Sequence, residues 1–424
     1  MPNGKKPKIA LLHYSGPPIV AGVELALRDH ARYFRYFNYQ VELVVGAGHQ
    51  WRKDIPLKTI KYLSPRFRPI YTARLKLDRG IVPNDFPLLV KKIKDELRQH
   101  IVASDINVVI AHNVMTRHYN LPLTAALAEL AAEMSDIQFI TWVHDASFSD
   151  NGYIDLPQKL QKKYPWSLLA NPAPNFQYVA ISETRASELK AIFKVEFPLQ
   201  VIPNSIDPKK FFKLQPQVRE LVNELKLHEL DYVGVLPVRA VARKNIEYAI
   251  RVIAAMKAAG YKVKFLITAP LNYQKLGAQT YLNGLIKLVA ELKLTDEVVF
   301  LSKYRLKNGK PFDLLKLAVV DLYDIADFLL IPSTIEGFGM PLIEAALSRA
   351  AIFASDIPPF REVGNNELTY FKLDEDPAVV ARRITKTIAE NPVQRLYRRA
   401  MQEYSFVRVF ETSMLPLVDP SSKQ

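Results

Sequence analysis

Short, wholly apolar runs recur along this chain with helical stretches between them. Ile9 to Tyr14 is the first; it ends in Ser15-Gly16-Pro17-Pro18, after which Val23, Leu27, Ala31 and Phe34 share one face of a helix. Val41 to Val45, Val108 to Ala111, Phe139 to Val143 and Tyr178 to Ile181 follow, separated by helical stretches such as Leu89 to Ile101 and Leu121 to Ala132. A strand apolar at every position, rather than every second one, is buried on both faces, so the pattern predicts a parallel sheet between layers of helix. It restarts at Tyr232 to Leu236 and runs through Val263 to Ile267, Val298 to Leu301, Phe328 to Ile331 and Ala351 to Ala354, predicting a second sheet.

Two sheets agree with 424 residues, which suit two domains better than one. Val201-Ile202-Pro203-Asn204-Ser205-Ile206-Asp207-Pro208, with two prolines and several turn formers, is the expected linker. The expected division is 1–205 and 206–404, each a Rossmann-like domain, and 405–424, packing back onto the first. Asn391 to Pro416 reads as helical and aromatic-rich, the kind of segment able to make that return.

Composition narrows the chemistry. The absence of cysteine removes disulfides, thiolate metal sites and cysteine nucleophiles. A net charge of +14 favours anionic partners such as nucleotides, phosphorylated acceptors or anionic headgroups. No zinc spacing, RNP-like aromatic motif or basic heptad region accompanies it, so nucleic acid is not an expected partner. The basic start, Met1 to Lys8, leads into the first strand and does not read as a signal peptide, and no run of apolar residues is long enough to span a membrane.

The most informative segment is Pro332-Ser333-Thr334-Ile335-Glu336-Gly337-Phe338-Gly339-Met340-Pro341-Leu342-Ile343-Glu344-Ala345. It follows a strand and opens a helix, with Pro341 suited to the first turn. A helix N-terminus at the carboxyl end of a parallel strand favours a phosphate, and Gly337 and Gly339 let the backbone approach one. Glu336 before the helix and Glu344 about one turn inside it can each grip a vicinal diol, since a carboxylate accepts two hydroxyl hydrogen bonds. Taken alone, a dipole-complementing Glu344 and a solvated Glu336 explain the pair equally well.

These residues resemble family 4 of the retaining glycosyltransferases, whose pattern is E-G-F-G-x-P-x-x-E-A. Ser355-Asp356-Ile357-Pro358-Pro359-Phe360-Arg361-Glu362-Val363 is similar to the family's S-D-I-P-x-x-R-E-V, and Val201 to Asp207 to its V-I-P-N-G-V-D. The resemblance runs from about Ile9 to Val418 and is strongest in the C-terminal half. It implies an α/β protein of the GT-B class, two Rossmann-like, doubly wound parallel-sheet domains, 1–205 on the acceptor side and 206–404 for the donor, facing across a cleft that holds a nucleotide diphosphate-sugar. By the same resemblance Glu344 holds the ribose, Glu336 the ring hydroxyls of the donor sugar, and Gly337, Phe338, Gly339 and Met340 line the donor. Arg239 and Lys244, in Leu236 to Asn245, match the family's basic pair and would absorb the charge of the departing diphosphate, with Arg243 between them solvated. Gly22, in Ala21-Gly22-Val23-Glu24, matches the second glycine of G-G-x-E near the diphosphate; Ala21 replaces the first. His144 matches a histidine at a strand end, hydrogen-bonding the sugar and not transferring a proton, and His112-Asn113 is a weaker candidate on the acceptor side. Ser205 and Arg349 stand where relatives carry glycine.

The function expected is therefore metal-independent, front-face, retaining transfer of a hexose to an acceptor hydroxyl, without a cofactor beyond the donor itself. The acceptor is left open among a small molecule, a glycan and a lipid-linked one. The place of work is expected in the cytoplasm, with peripheral contact at the inner membrane face left open. Alternatives are an epimerase or hydrolase of the same scaffold, or a non-catalytic nucleotide-sugar-binding protein. Gly46-Ala47-Gly48 begins like a dinucleotide fingerprint, but Trp51 occupies the third glycine position. Asp374-Glu375-Asp376 fits a D-x-D metal motif, yet Pro377 follows and a helix N-terminus is the simpler account. The basic, aromatic stretch from Arg66 to Arg79 (Phe67, Tyr71, Arg74, Lys76) reads as a contact for an anionic surface or an acceptor phosphate, or equally as a solvated loop.

Overall fold

The computed structural model describes residues 6–19, 21–148, 158–270, 278–314 and 316–422. The chain forms two compact units, Met1–Ser205 joined by Phe406–Gln424, and Ile206–Ser405. Each is built on one wholly parallel sheet, in keeping with the α/β, Rossmann-like, doubly wound class.

In the first unit the strands are β1 (Ile9–His13), β2 (Val41–Val45), β3 (Leu57–Thr59), β4 (Val108–His112), β5 (Gln138–Val143), β6 (Phe176–Ala180) and β7 (Leu199–Val201). Their order is β3-β2-β1-β4-β5-β6-β7. Every residue of β1, β2 and β4 is buried, which is why these runs are apolar throughout. The second unit holds β8 (Tyr232–Leu236), β9 (Val263–Ile267), β10 (Val298–Phe300), β11 (Phe328–Ile331), β12 (Ala351–Ser355) and β13 (Thr369–Phe371), in the order β10-β9-β8-β11-β12-β13. Gly234 sits in the middle of β8 because a Cβ there would lie 2.4 Å from the Phe328 ring.

Three strands escape the apolar pattern: β3, β7 and β13. Each is three residues long, lies at a sheet edge and is mostly exposed or half-exposed, so no continuous apolar run marks it. Val201, the first residue of the expected linker, belongs to β7 and pairs with Ala180. The stretch around Arg66 to Arg79 is a helix, Arg68–Leu77, and not a loop. Ile70, Ala73 and Leu77 bury one face while the basic residues occupy the rest, so an apolar face only three residues deep was outweighed by charge in the sequence.

The return of the chain is an aromatic event. Phe406 stacks on Tyr33 with ring centroids 4.1 Å apart, and Phe410 meets His30 and Phe34 edge-on. Both phenylalanines are buried, each contributing roughly 1.5–3 kcal/mol by area removed from water. Tyr39 donates to the Asp419 carboxylate at 3.0 Å and Gln138 to the Leu417 carbonyl at 2.9 Å, fixing the far end. Among the described residues no helix is long and apolar enough to cross a membrane.

Arg349 closes the helix Met340–Leu347 in the left-handed conformation, φ 58°, that glycine adopts at this kind of turn. The Ala350 N–H reaches back to the Ala345 carbonyl at 3.1 Å, so the turn survives the substitution. A non-glycine residue there costs roughly 1–2 kcal/mol, partly offset by the greater unfolded-state freedom of glycine. Arg349→Gly should therefore raise stability in urea unfolding, by about 0.5–1 kcal/mol; a fall would mean that the arginine side chain supports the turn.

Candidate functional site

In an open parallel sheet, ligands bind outside the carboxyl ends of the strands where the strand order reverses. In the second unit that point lies between β8 and β11, which are hydrogen-bonded neighbours. The loop after β8 carries Arg239, Arg243 and Lys244; the loop after β11 carries Ser333 and Glu336 and opens the helix Met340–Leu347. The two loops are stitched together, because the Arg243 carbonyl accepts from the Thr334 N–H at 2.8 Å and the Arg243 guanidinium donates to the Ile335 carbonyl at 2.9 Å.

Glu336 is the centre of this network. Its carboxylate accepts from the Lys244 ammonium, from the Ser333 hydroxyl at 2.7 Å and from Arg243 at 3.0 Å. Burial pushes the Glu336 carboxyl up, but the bonds from Lys244, Ser333 and Arg243 together outweigh it and hold the group below the ordinary carboxylate range. Burial lowers the Lys244 pKa, and the neighbouring Arg243 and Arg239 add to that, against the pull of Glu336 in the other direction. Arg243, expected to be solvated, is exposed and is in addition an ion-pair partner of Glu336; the contact spans 93 positions and no local signal carries it. Ser333, only three positions from Glu336, was missed because its residue type alone does not mark it as a partner of that carboxylate; the Ser355 hydroxyl also donates to the Ser333 carbonyl at 2.5 Å and ties the S-D-I-P segment to the Glu336 loop.

Arg239 differs from both neighbours. It is exposed, and its guanidinium makes no hydrogen bond or ion pair among the described residues, yet it lies near enough to influence Lys244. Across the strand junction, Gly339 takes φ 120° before Met340, a conformation open to glycine, and a Cβ there would press to 3.1 Å on Phe360. Gly337 faces open space, while Phe338 and Met340 are about half exposed beside it. Glu344, inside the helix, accepts from the Tyr323 hydroxyl at 2.7 Å, a buried partner on the helix Lys316–Ile325 that the sequence did not reveal. Of the D-x-D candidate, Asp376 caps the helix Pro377–Glu390 through the Ala378 N–H and Glu375 pairs with Arg383 at 2.5 Å, so both are spent on local structure.

Gly22 and His144 belong to the first unit. Gly22 opens the helix Gly22–Tyr36, and Ala21 before it has an extended φ of −141° that any residue adopts, so alanine costs nothing in place of glycine. Three neighbouring strands, β1, β4 and β5, end in histidine: His13, His112 and, one residue past the strand, His144. Asn113, in the left-handed region at φ 57°, accepts from the N–H groups of His144 at 3.2 Å and Asp145 at 2.8 Å, which locks the end of β5 to that of β4. The His112 and His144 rings approach to 3.4 Å, and His13 donates through Nδ1 to the His112 carbonyl at 2.7 Å. Burial, with His13 next, pushes His144 down to about 4; burial, with His144 next, pushes His30 beneath it down to about 3.

Residues 219–406 match the family model described as Glycosyl transferases group 1. Over 83% of each chain, the protein is 24% identical to the mannosylglucosylglycerate synthase of Thermotoga maritima. It is 38% identical to the O-antigen chain mannosyltransferase RfbU of Salmonella typhimurium over 100 residues, 24% of this chain and 26% of that one. A solved glycosyltransferase from Rickettsia africae ESF-5 aligns over 98% of this chain and 100% of its own at 15% identity and a TM-score of 0.37, too slight a likeness to bear on the chemistry.

Neutral buried histidines make a pH prediction. Because their folded pKa values lie below the unfolded value, the unfolded chain binds more protons, and stability falls as pH drops from about 6.5 toward 4. His30→Phe, which keeps the ring packing against Trp142 and Phe410, should flatten the pH 7.5 to 4.5 slope of the urea midpoint. An unchanged slope would show that His30 is not neutral in the folded protein.

Proposed function

Starting from a second unit that is a group 1 glycosyltransferase domain over residues 219–406, we propose that the protein transfers a hexose, with retained anomeric configuration, from a nucleotide diphosphate-sugar to an acceptor hydroxyl. The observation that carries this reading is Arg239: an exposed, unengaged cation at the carboxyl end of β8, next to the strand whose following helix presents its N-terminus at Met340. A fixed cation and the free amides of a first helical turn suit a diphosphate, and suit it better as its charge grows.

In this reading the bond from the anomeric carbon to the diphosphate loosens into an oxocarbenium-like state. The acceptor oxygen forms its bond on the same face, and its proton passes to the departing diphosphate. Arg239 and the Gly339–Met340 amides meet the phosphates, with Lys244 behind them. Glu336, already kept ionised by three donors, has remaining acceptor capacity for ring hydroxyls and is too engaged to act as a nucleophile. Glu344, oriented by Tyr323, accepts from the ribose diol, and Gly337 and Phe338 line the donor. His144 and Gly22 complete the assignment from the first unit; an imidazole with its pKa pushed down to about 4 is neutral at pH 7, fit to hydrogen-bond a sugar and unfit to act as an acid. No metal is assigned a role. The synthase relative, alike along most of both chains, favours a mannosyl donor and a small glycoside acceptor over a polymer.

Two measurements test this. Thermal shift against UDP-, GDP- and ADP-hexoses should single out one donor by raising the melting temperature. Incubation of that donor with and without acceptor, followed by product analysis, should yield a glycoside of unchanged anomeric configuration; an epimerised donor or free sugar alone would replace transfer with epimerase or hydrolase chemistry. Arg239→Ala should lower turnover about 100-fold or more, through the loss of one charge stabiliser, while leaving the melting temperature of the free protein nearly unchanged. Wild-type turnover in that variant would remove Arg239 from the mechanism.

A further inference from the structure

The first unit also reverses its strand order, between β1 and β4. Outside the carboxyl ends of these two strands stands a group of side chains that the transfer chemistry leaves unused. Tyr14 follows β1 directly, Arg117 lies in the loop after β4, and Arg74 projects from the helix Arg68–Leu77. The guanidinium groups of Arg74 and Arg117 lie 4.7 and 4.5 Å from the centroid of one ring, Tyr119, and Arg117 also donates to the Tyr119 hydroxyl. The Tyr14 ring meets that of Tyr119 edge-on at 6.1 Å.

Tyr14 is the informative member. Its side chain is buried, 6% exposed, and its hydroxyl has no hydrogen-bond partner among the described residues. A buried hydroxyl without a partner is costly, and a bound ion is one way in which that cost is met. Burial raises its pKa, while Arg117 and Arg74, both near it, act in the opposite direction. Asp78, 3.4 Å from Arg74 at Nε, orients that guanidinium, and Arg74 is the accessible face of the group. The loop carrying Arg117 is fixed by Asn120, which caps the helix Leu121–Glu133 and donates to the carbonyls of Tyr62 and Leu63, just ahead of the helix that bears Arg74.

We propose that Arg74, Arg117 and Tyr14 form a subsite for a carboxylate or phosphate carried by the acceptor. A planar guanidinium matches either oxyanion with two parallel hydrogen bonds, the second cation neutralises what the first leaves, and the Tyr14 hydroxyl supplies a further donor. The place is the crevice at which open sheets hold ligands. The identity of the ligand as an acceptor rests on the transferase reading above; the binding of an anion there does not.

The test is calorimetric titration of the full chain, without any donor, against glucosylglycerate, glucose 6-phosphate and the uncharged glucosylglycerol. The expected result is that at least one anionic probe binds about 10-fold or more tightly than the neutral one, as a charge-assisted pair of bonds provides. Whether the carboxylate or the phosphate wins identifies the source of the charge. Arg74→Gln and Tyr14→Phe should each reduce that preference while leaving the neutral probe's affinity in place. Equal losses for charged and neutral probes, or no preference for charge in the wild type, would overturn the subsite. Arg117→Met adds a third variant, and if it does not fold, the partly exposed Arg74 and the isosteric Tyr14→Phe still decide. Anion binding without turnover of any donor would leave the subsite standing and the transferase reading refuted.

Discussion

The loops at the carboxyl end of the second unit's sheet are organised around keeping Glu336 a carboxylate in a half-buried position. Burial alone would raise its pKa; Lys244, Arg243 and Ser333 reverse that, and in doing so they bind the loop after β8 to the loop after β11. The network has a second effect. By engaging Lys244 and Arg243 it leaves Arg239, among the three basic residues after β8, as the one whose side chain is unengaged and has capacity for an incoming anion.

Both units place their polar side chains by the same constraint. Parallel strands end together, and where their order reverses the following helices diverge and leave room outside the carboxyl ends. In the second unit that room is bordered by Arg239, Lys244 and the glycine-gated helix start; in the first by Tyr14, Arg117 and the histidine-terminated strands. Asn113 in the first unit does what Arg243 and Thr334 do in the second, joining the ends of two adjacent strands so that the side chains beyond them hold fixed positions. Such fixed dipoles and charges need no rearrangement as a transition state forms, which is the property the proposed transfer uses.

Legibility in the sequence followed burial. The ten other described strands are apolar at most positions because the sheets cover both of their faces, and each run shows without any knowledge of neighbours. The edge strands β3, β7 and β13 lack that signature, and the helix Arg68–Leu77 hid behind its basic exposed face. Glu336, Glu344, Gly339 and the helix start at Met340 could be read together because they lie within one short segment. Arg243 is exposed as expected, but its pairing with Glu336 was not legible because that partner is 93 positions away.

What the sequence determined by itself was the existence of two parallel sheets, their alternation with helices, and the segment whose glycines and carboxylates open the helix at Met340. Those follow from local periodicity and from the conformations that glycine and proline permit. Tertiary structure alone decided that Lys244 meets Glu336 across 92 positions, that Tyr323 orients Glu344, and that Arg74 and Arg117 converge on Tyr119. The order of strands in a sheet sets which loops become neighbours, and that order is fixed by packing between distant segments, which no periodicity along the chain records.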